Sequence, residues 1–201
     1  MAAETPARAP VLRTDASFIA EPVYEEYVRH RAYRYMMADT RIALGWVFFW
    51  AFLDKLFALG FGTGRDPETG AVDYFGEGAA WINGGSPTEG FLASREGTFA
   101  DAFTWMAGDA RADWLFLLCL AGIGAALLLG VTIRIAAVSG ALLMVFMWLA
   151  EIRLDNNPIV DDHIIYALVL GVLALAGANK TLGLGKVWER IPLVARHGFL
   201  K

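Results

Sequence analysis

Residues 154–178 read LDNNPIVDDHIIYALVLGVLALAGA. The second half is apolar or small throughout, while the first carries Asp155, Asn156, Asn157, Asp161, Asp162 and His163. In a soluble core, polar groups of this kind cost roughly 1–3 kcal/mol each when they lack partners. At the rim of a membrane span they sit where water begins. Asn157 suits an N-cap and Pro158 the first helical position. The stretch therefore predicts a helix over 158–178, about 30 Å long and sufficient to cross the hydrocarbon core. Asp161, Asp162 and His163 then fall near its first turn, where the positive end of the helix dipole favours carboxylates. This reading decides whether the chain crosses a bilayer three times or four.

The composition points the same way. The 201 residues are 57% hydrophobic and 19% charged, with a mean hydropathy of +0.46. Ordinary soluble domains carry about 25% charged residues. Three further apolar runs, 42–62, 114–133 and 135–152, are long enough to span. Irregular backbone cannot face lipid, because its polar groups would lack partners. The expected fold is all-α, an integral membrane four-helix bundle. Small residues spaced four apart (Gly122, Ala126 and Gly130; Ala136 and Gly140; Ala167 and Gly171) predict close helix packing.

Charge sets the expected orientation. Arg8, Arg13, Arg29, Arg31, Arg34 and Arg41 precede the first span, Arg134 lies between the second and third, and Lys180, Lys186, Arg190, Arg196 and Lys201 follow the fourth. Arg65, Arg95, Arg111 and Arg153 in the other loops are outnumbered by acids. The positive-inside rule places both termini in the cytoplasm of a multi-pass membrane protein. The net charge of −4 then resides on the outer side and implies no nucleic-acid partner. No uninterrupted apolar run occurs in the first forty residues, which argues against a cleaved signal peptide. The lone Cys119 cannot form an internal disulfide and reads as a packing residue.

The expected organisation is a cytoplasmic N-terminal segment (1–40), a transmembrane domain (41–178) with an extracytoplasmic cap loop (63–113), and a cytoplasmic tail (179–201). Residues 21–40 interleave Tyr and Arg, as an interfacial helix does; a soluble cytoplasmic helix has the same pattern. In the cap, Trp81, Ile82, Phe91 and Leu92 read as apolar anchors. Phe99, Phe103 and Met106 share helical spacing and predict a short helix. The turn Asn83, Gly84, Gly85, Ser86 could offer backbone N–H groups to an anion.

Ionisable groups converge at one predicted height. Asp54 and Lys55 in the first span, Glu151 at the end of the third, and Asp162 and His163 at the start of the fourth all reach the outer half of the bilayer. Charges at that depth are costly and mark functional positions. With Trp50, Trp148 and Tyr166 they could line an outward-facing pocket for a quinol headgroup or small anion, Lys55 and His163 binding it and Asp54, Glu151 and Asp162 passing its protons outward. The same groups fit a purely structural network in which Lys55 pairs with Asp54 of a rotated turn, Glu151 or Asp162 and pins the helices. The Trp and Tyr residues also fit an aromatic belt. Met144 and Met147 read as packing. No motif for flavin, haem or an iron–sulfur cluster is present; His163 with nearby carboxylates could bind a metal, but His30 and His197 are expected on the other side of the membrane, so no metal site is assigned.

The segments LGWVFFWAFLDKLFALGFGT (44–63), AWINGGSPTEGFL (80–92), MWLAEIRLDNNPIVDDHIIYALVL (147–170) and KTLGLGKVWERIPLV (180–194) together resemble the DoxX family of small bacterial membrane proteins, above all its actinobacterial members and their DoxD-like relatives. The resemblance covers Arg41 to Leu193. Lys55 lies in the family's first-span motif, and Asp161, Asp162 and His163 lie in that of the fourth. It implies association with a membrane redox system that is quinone-linked. DoxD-like proteins are named for a subunit of an archaeal thiosulfate:quinone oxidoreductase, but that activity needs a second subunit and is not implied here. Two roles remain: a redox-associated subunit with a quinone or small-molecule pocket, acting as an oxidoreductase only with a partner, or a non-catalytic accessory subunit docked on a larger respiratory or transport complex.

Overall fold

The computed structural model describes residues 17–95, 99–151 and 159–201, with side chains from Arg29 onward. All regular structure among them is helical; the one β-type contact is an isolated antiparallel bridge between Arg65 and Val72. Eight α-helices follow in chain order: α1 (Ser17–Phe57), α2 (Glu89–Ala93), α3 (Ala100–Met106), α4 (Ala110–Leu129), α5 (Ile133–Ala150), α6 (Asp162–Leu175), α7 (Gly185–Trp188) and α8 (Pro192–Arg196). Contacts divide the chain into Met1–Tyr33 and Arg34–Lys201. Of the first unit, the described part is helical, and Arg29 to Tyr33 are exposed. The rest of this description concerns the second.

Among the described residues, three helices are long and apolar enough to cross a membrane: α1 over Arg29–Phe57, α4 and α5. At 1.5 Å per residue α4 is about 30 Å long and α5 about 27 Å. The apolar α6 has 14 residues, about 21 Å. The predicted start at Pro158 is corrected here. Asp161, not Asn157, is the N-cap, and its carboxylate accepts the Ile164 N–H at 3.2 Å. Asn157 and Pro158 lie outside the described residues. The helix ends before Gly177, whose φ of 62° is left-handed and stops propagation. An Asp two residues before His163 provides a capping carboxylate closer to the apolar run than the Asn does, and the helix starts there.

The other predicted boundaries also shift. The first span does not reach Gly62; it closes at Phe57, and Ala58 turns left-handed at φ 53°. The second starts at Ala110 with Asp109 as N-cap, accepting the Arg111 N–H at 2.7 Å. Its C-cap is Gly130 at φ 70°, so the third span begins at Ile133.

The core comprises Leu44 and Phe48 of α1, Leu120, Ile123 and Leu127 of α4, Ala136, Ala137 and Met144 of α5, and Leu170 and Leu173 of α6. Of the predicted small-residue contacts, Gly140 is confirmed: a Cβ there would lie 2.8 Å from Leu170. Gly122 and Gly171 face open space, whereas Ala126 and Ala167 of the same rows pack against the core. The close approach between α1 and α4 uses Gly45 and Gly124 instead. A Cβ on Gly124 would sit 2.6 Å from the Phe49 backbone nitrogen, and one on Gly45 2.8 Å from the Leu127 Cβ.

Arg41 closes one end of the bundle. It is fully buried and donates to the Leu127 carbonyl, to Leu128 O at 3.0 Å, to Thr181 O at 3.3 Å and to Leu182 O at 2.6 Å. It thus caps the C-terminus of α4, where free carbonyls and the negative dipole end favour a cation, and holds the segment after α6 against it. Gly130 and Gly183 leave the guanidinium room, since a Cβ on either would come within 3.1 Å of it. Arg34 donates to Thr181 Oγ1 at 3.3 Å and Arg134 to Gly198 O at 2.9 Å. The basic groups around the α4–α5 turn and the C-terminal segment therefore share one end.

The cap occupies the opposite end. Buried Asp113, in the first turn of α4, accepts from Ser86 Oγ at 2.8 Å, Thr88 Oγ1 at 2.7 Å and Thr88 N at 3.2 Å. Leu92 is buried, and Trp81 meets Trp114 edge-on at 4.5 Å. Ile82, expected as an anchor, is 50% exposed. The predicted short helix is α3, and its Phe103 is buried edge-on against Phe146. The Asp66 carboxylate accepts the backbone N–H groups of Thr69 and Glu68 at 2.8 Å each, which holds its pKa below the usual carboxylate value.

Candidate functional site

A cavity of about 780 Å³ lies between the cap and the helices. Most of its wall is apolar: Phe48 and Ala51 of α1, Phe116, Cys119 and Leu120 of α4, and Leu143, Met144 and Met147 of α5. Cys119 and the two methionines, read from sequence as packing residues, border this space. The polar lining apart from Ser139 comes from the cap end: Lys55 in the last turn of α1, Thr63, Ser86 and Thr88 from the cap, and Asp162, His163 and Tyr166 in the first turns of α6. Ser139 Oγ is turned back onto the Ile135 carbonyl at 2.8 Å.

The structure thus brings Lys55, Asp162, His163 and Tyr166 to one cavity. Asp54, Glu151, Trp50 and Trp148 do not line it. Asp54 is 2% exposed and turned toward the chain that reverses after α1. Its carboxylate accepts the N–H groups of Phe61 at 3.1 Å, Gly62 at 2.7 Å and Thr63 at 2.9 Å, together with the Thr63 hydroxyl at 3.0 Å. Such a saturated carboxylate fixes a loop; the proposed proton-passing role for Asp54 is corrected on this ground. Trp50 packs against Trp46 at 5.6 Å and edge-on against Phe61 at 5.2 Å. The Trp148 indole donates to the Ile159 carbonyl at 3.0 Å.

The loop candidate is corrected as well. The Gly84 N–H donates to Trp81 O and the Gly85 N–H to Ala80 O, so neither is offered to an anion. The Asn83 amide donates to the Phe75 carbonyl. Only Ser86 of this group reaches the cavity, and its hydroxyl is engaged with Asp113. A Gly-rich turn must close its own backbone bonds before it can present any, and this one closes them internally.

Lys55 and His163 differ in how they are satisfied. No hydrogen bond and no ion pair reaches the Lys55 ammonium among the described residues. Asp54 acts on it only through space, its oxygens being taken by the loop. His163 Nδ1 lies 2.7 Å from Asp161 Oδ2 and 3.8 Å from Glu151 Oε2. Burial pushes the Asp161 carboxyl up, but the hydrogen bonds it makes with His163 and the Ile164 N–H outweigh it and hold the group below the usual carboxylate range. Glu151 in turn pairs with Arg95 at 3.1 Å, whose guanidinium sits 4.4 Å over the Phe91 ring. Ligand atoms of Glu151, Asp161 and His163 lie within 4.8 Å of one another, a spacing a metal ion could use. Arg95 already supplies a positive charge to Glu151, so the cluster is electrostatically served without one.

Sequence reasoning left Asp161 out of the pocket and missed Arg95, Thr63, Thr88 and Asp113. The Asp-x-His spacing before an apolar helix was the available signal for Asp161: an N-cap carboxylate and a side chain two residues on meet over the first turn. Arg95 and Asp113 depend on how the cap folds, and no local pattern announces them.

No family model, no curated protein and no solved structure matches the chain.

Proposed function

We propose that the chain is a DoxX-like protein of the bacterial plasma membrane, a four-helix bundle with α6 as a short fourth span and both termini cytoplasmic, that binds a quinone-type headgroup for a membrane redox system. The carrying observation is the cavity itself: a large apolar space with, at one end, an ammonium that meets no acceptor among the described residues and a carboxylate-bound imidazole. An amphiphile with a polar ring and an apolar tail matches that division. The Lys55 ammonium donates to a ring oxygen, and the apolar walls take the tail. Leu115 and Leu142, which border the cavity from α4 and α5, are 65% and 67% exposed; in a bilayer they face lipid and offer a lateral way in. The basic end built around Arg41 and Arg134 supports the orientation under the positive-inside rule.

The test is binding of a decyl-tailed benzoquinone to the full chain in lipid nanodiscs. Saturable binding is expected, weakened at least tenfold by Lys55→Met, because a charged donor supplies one strong hydrogen bond. Absence of saturable binding to the unaltered protein, in either redox state of the ligand, overturns the proposal. A docking role on a larger complex is the second reading, favoured by Trp105, which is 84% exposed on the cap. It requires co-migration with a larger assembly in mild detergent, reduced by Trp105→Ala.

A further inference from the structure

The polar end of the cavity has a definite hydrogen-bond polarity. Lys55 has donors only. His163 directs Nδ1 at the Asp161 carboxylate, 2.7 Å away, with Glu151 as a second, more distant carboxylate. A carboxylate accepts and does not donate, so the neutral imidazole keeps its proton on Nδ1. This is the same control of tautomer that an orienting carboxylate exerts in catalytic triads and behind metal-bound histidines. Nε2 is then left with a lone pair. His163 lines the cavity, so a group meeting Nε2 must bring a proton. The ligand that satisfies both residues accepts from Lys55 and donates to His163.

We infer that the cavity selects the hydroxyl-bearing, reduced form of its ligand, a lipid-soluble hydroquinone or phenol, over the oxidised quinone, and that Asp161 sets this preference as a positioning residue. The inference rests on the quinone-binding reading and adds to it which redox form is held. A hydroquinone oxygen carries both a lone pair and a proton, and serves both side chains. A quinone has acceptor oxygens alone; it satisfies Lys55 and faces Nε2 lone pair to lone pair. Tyr166 and Asp162 border the same space without changing this polarity. The Tyr166 hydroxyl can turn to suit either form, and an Asp162 carboxylate also prefers a donor.

Asp161 can be altered without dismantling the helix it caps. Its Oδ1 accepts the Ile164 N–H while Oδ2 meets His163. Asparagine is an equally good N-cap. In Asp161→Asn the amide oxygen keeps the cap, and the amide NH2 then faces Nδ1 and donates to it. The imidazole proton moves to Nε2, which becomes a donor toward the cavity. Glu151, held by Arg95 and 3.8 Å from Nδ1, is too distant to restore the original tautomer by a direct hydrogen bond.

The experiment measures dissociation constants of a decyl-tailed benzoquinol and of its oxidised form, for the full chain in nanodiscs, anaerobically at pH 8. The unaltered protein is expected to bind the quinol about tenfold more tightly, the worth of one hydrogen bond made by one form and missed by the other. Asp161→Asn is expected to bring the ratio to one or reverse it, while Lys55→Met weakens both forms alike. If Asp161→Asn does not give a folded bundle, His163→Ala must make the two affinities converge. Equal affinities in the unaltered protein, or a tighter quinone, overturn this inference and leave the quinone site standing. A preference that survives both Asp161→Asn and His163→Ala also overturns it. Failure of both forms to bind removes the site and the inference together.

Discussion

Replacing Arg41 by methionine gives the sharpest test of how the bundle is closed. The guanidinium is fully buried and donates to carbonyls of Leu127, Leu128, Thr181 and Leu182. Hydrogen bonds from a charged donor are worth about 1.5–3 kcal/mol each. Taking the low end for four bonds gives roughly 6 kcal/mol gross. Against this stands the desolvation of a buried cation, several kcal/mol even after relaxation. Methionine removes that penalty with the charge, but it leaves four carbonyls without this donor at the end of α4 and beyond α6. The net loss is expected at about 3 kcal/mol, within the range for breaking a buried polar network. Lysine at 41 restores the charge but not the planar fork that reaches two chain segments at once, so Arg41→Lys should recover less than half. The assay is reversible unfolding in mixed detergent micelles, followed by helical circular dichroism, with proteolysis of residues 180–201 read in parallel. Unfolding within 1 kcal/mol of the unaltered protein for Arg41→Met, with no gain in cleavage of the C-terminal segment, would refute the reasoning.

Two further outcomes follow from the same geometry. Gly124→Ala drives a methyl to 2.6 Å from the Phe49 backbone, an overpacking cost of about 1–3 kcal/mol that should lower Tm. Gly122→Ala, two residues away in open space, should leave it unchanged or raise it slightly through better helix propensity; equal behaviour of the two variants would contradict the α1–α4 approach. Asp161 titrates below its unfolded value. Its contribution to stability is therefore complete above the ordinary carboxylate pKa near 3.9 and is lost as pH falls through the depressed value. Unfolding from pH 7 to pH 3 should show the gap between the unaltered protein and Asp161→Asn closing below about pH 4; a constant gap would show that the His163 contact adds nothing.

Much of the helical architecture was legible because lipid solubility leaves long traces. An 18- or 20-residue apolar helix writes itself into composition, and α4 and α5 are found within a few residues of their predicted places. Boundaries were less legible. The apolar run beginning at Ile164 is visible, but whether Asn157 or Asp161 caps it depends on which side chain reaches a free N–H, a matter of one turn of backbone. Packing faces were less legible still: Gly122 and Gly124 are equivalent as residues, and only the position of Phe49 tells them apart. The cap was legible in its apolar residues and not in its bonds, since Asp113 and Arg95 find partners far along the chain, at Ser86 and Glu151.

The hardest distinction to draw from sequence is between a charge that holds the bundle and a charge that waits for something. Arg41, Asp54 and Lys55 each read as an ionisable group at or within an apolar run, and the depth argument treats them alike. Their surroundings separate them. Arg41 meets four carbonyls at the end of the bundle opposite the cap, and the Asp54 carboxylate is taken by four donors from the chain after α1. Lys55, next to Asp54 in sequence, points about 100° away around the helix and meets no protein acceptor among the described residues. Packing alone would favour an apolar residue at such a place, because an unpaired ammonium beside apolar walls costs free energy and organises nothing. If Lys55 held the bundle, Lys55→Met should instead lower the stability of the empty protein. If it serves the cavity, the same variant should be at least as stable as the unaltered chain and fail in the nanodisc titration, so that stability and binding move in opposite directions at one residue.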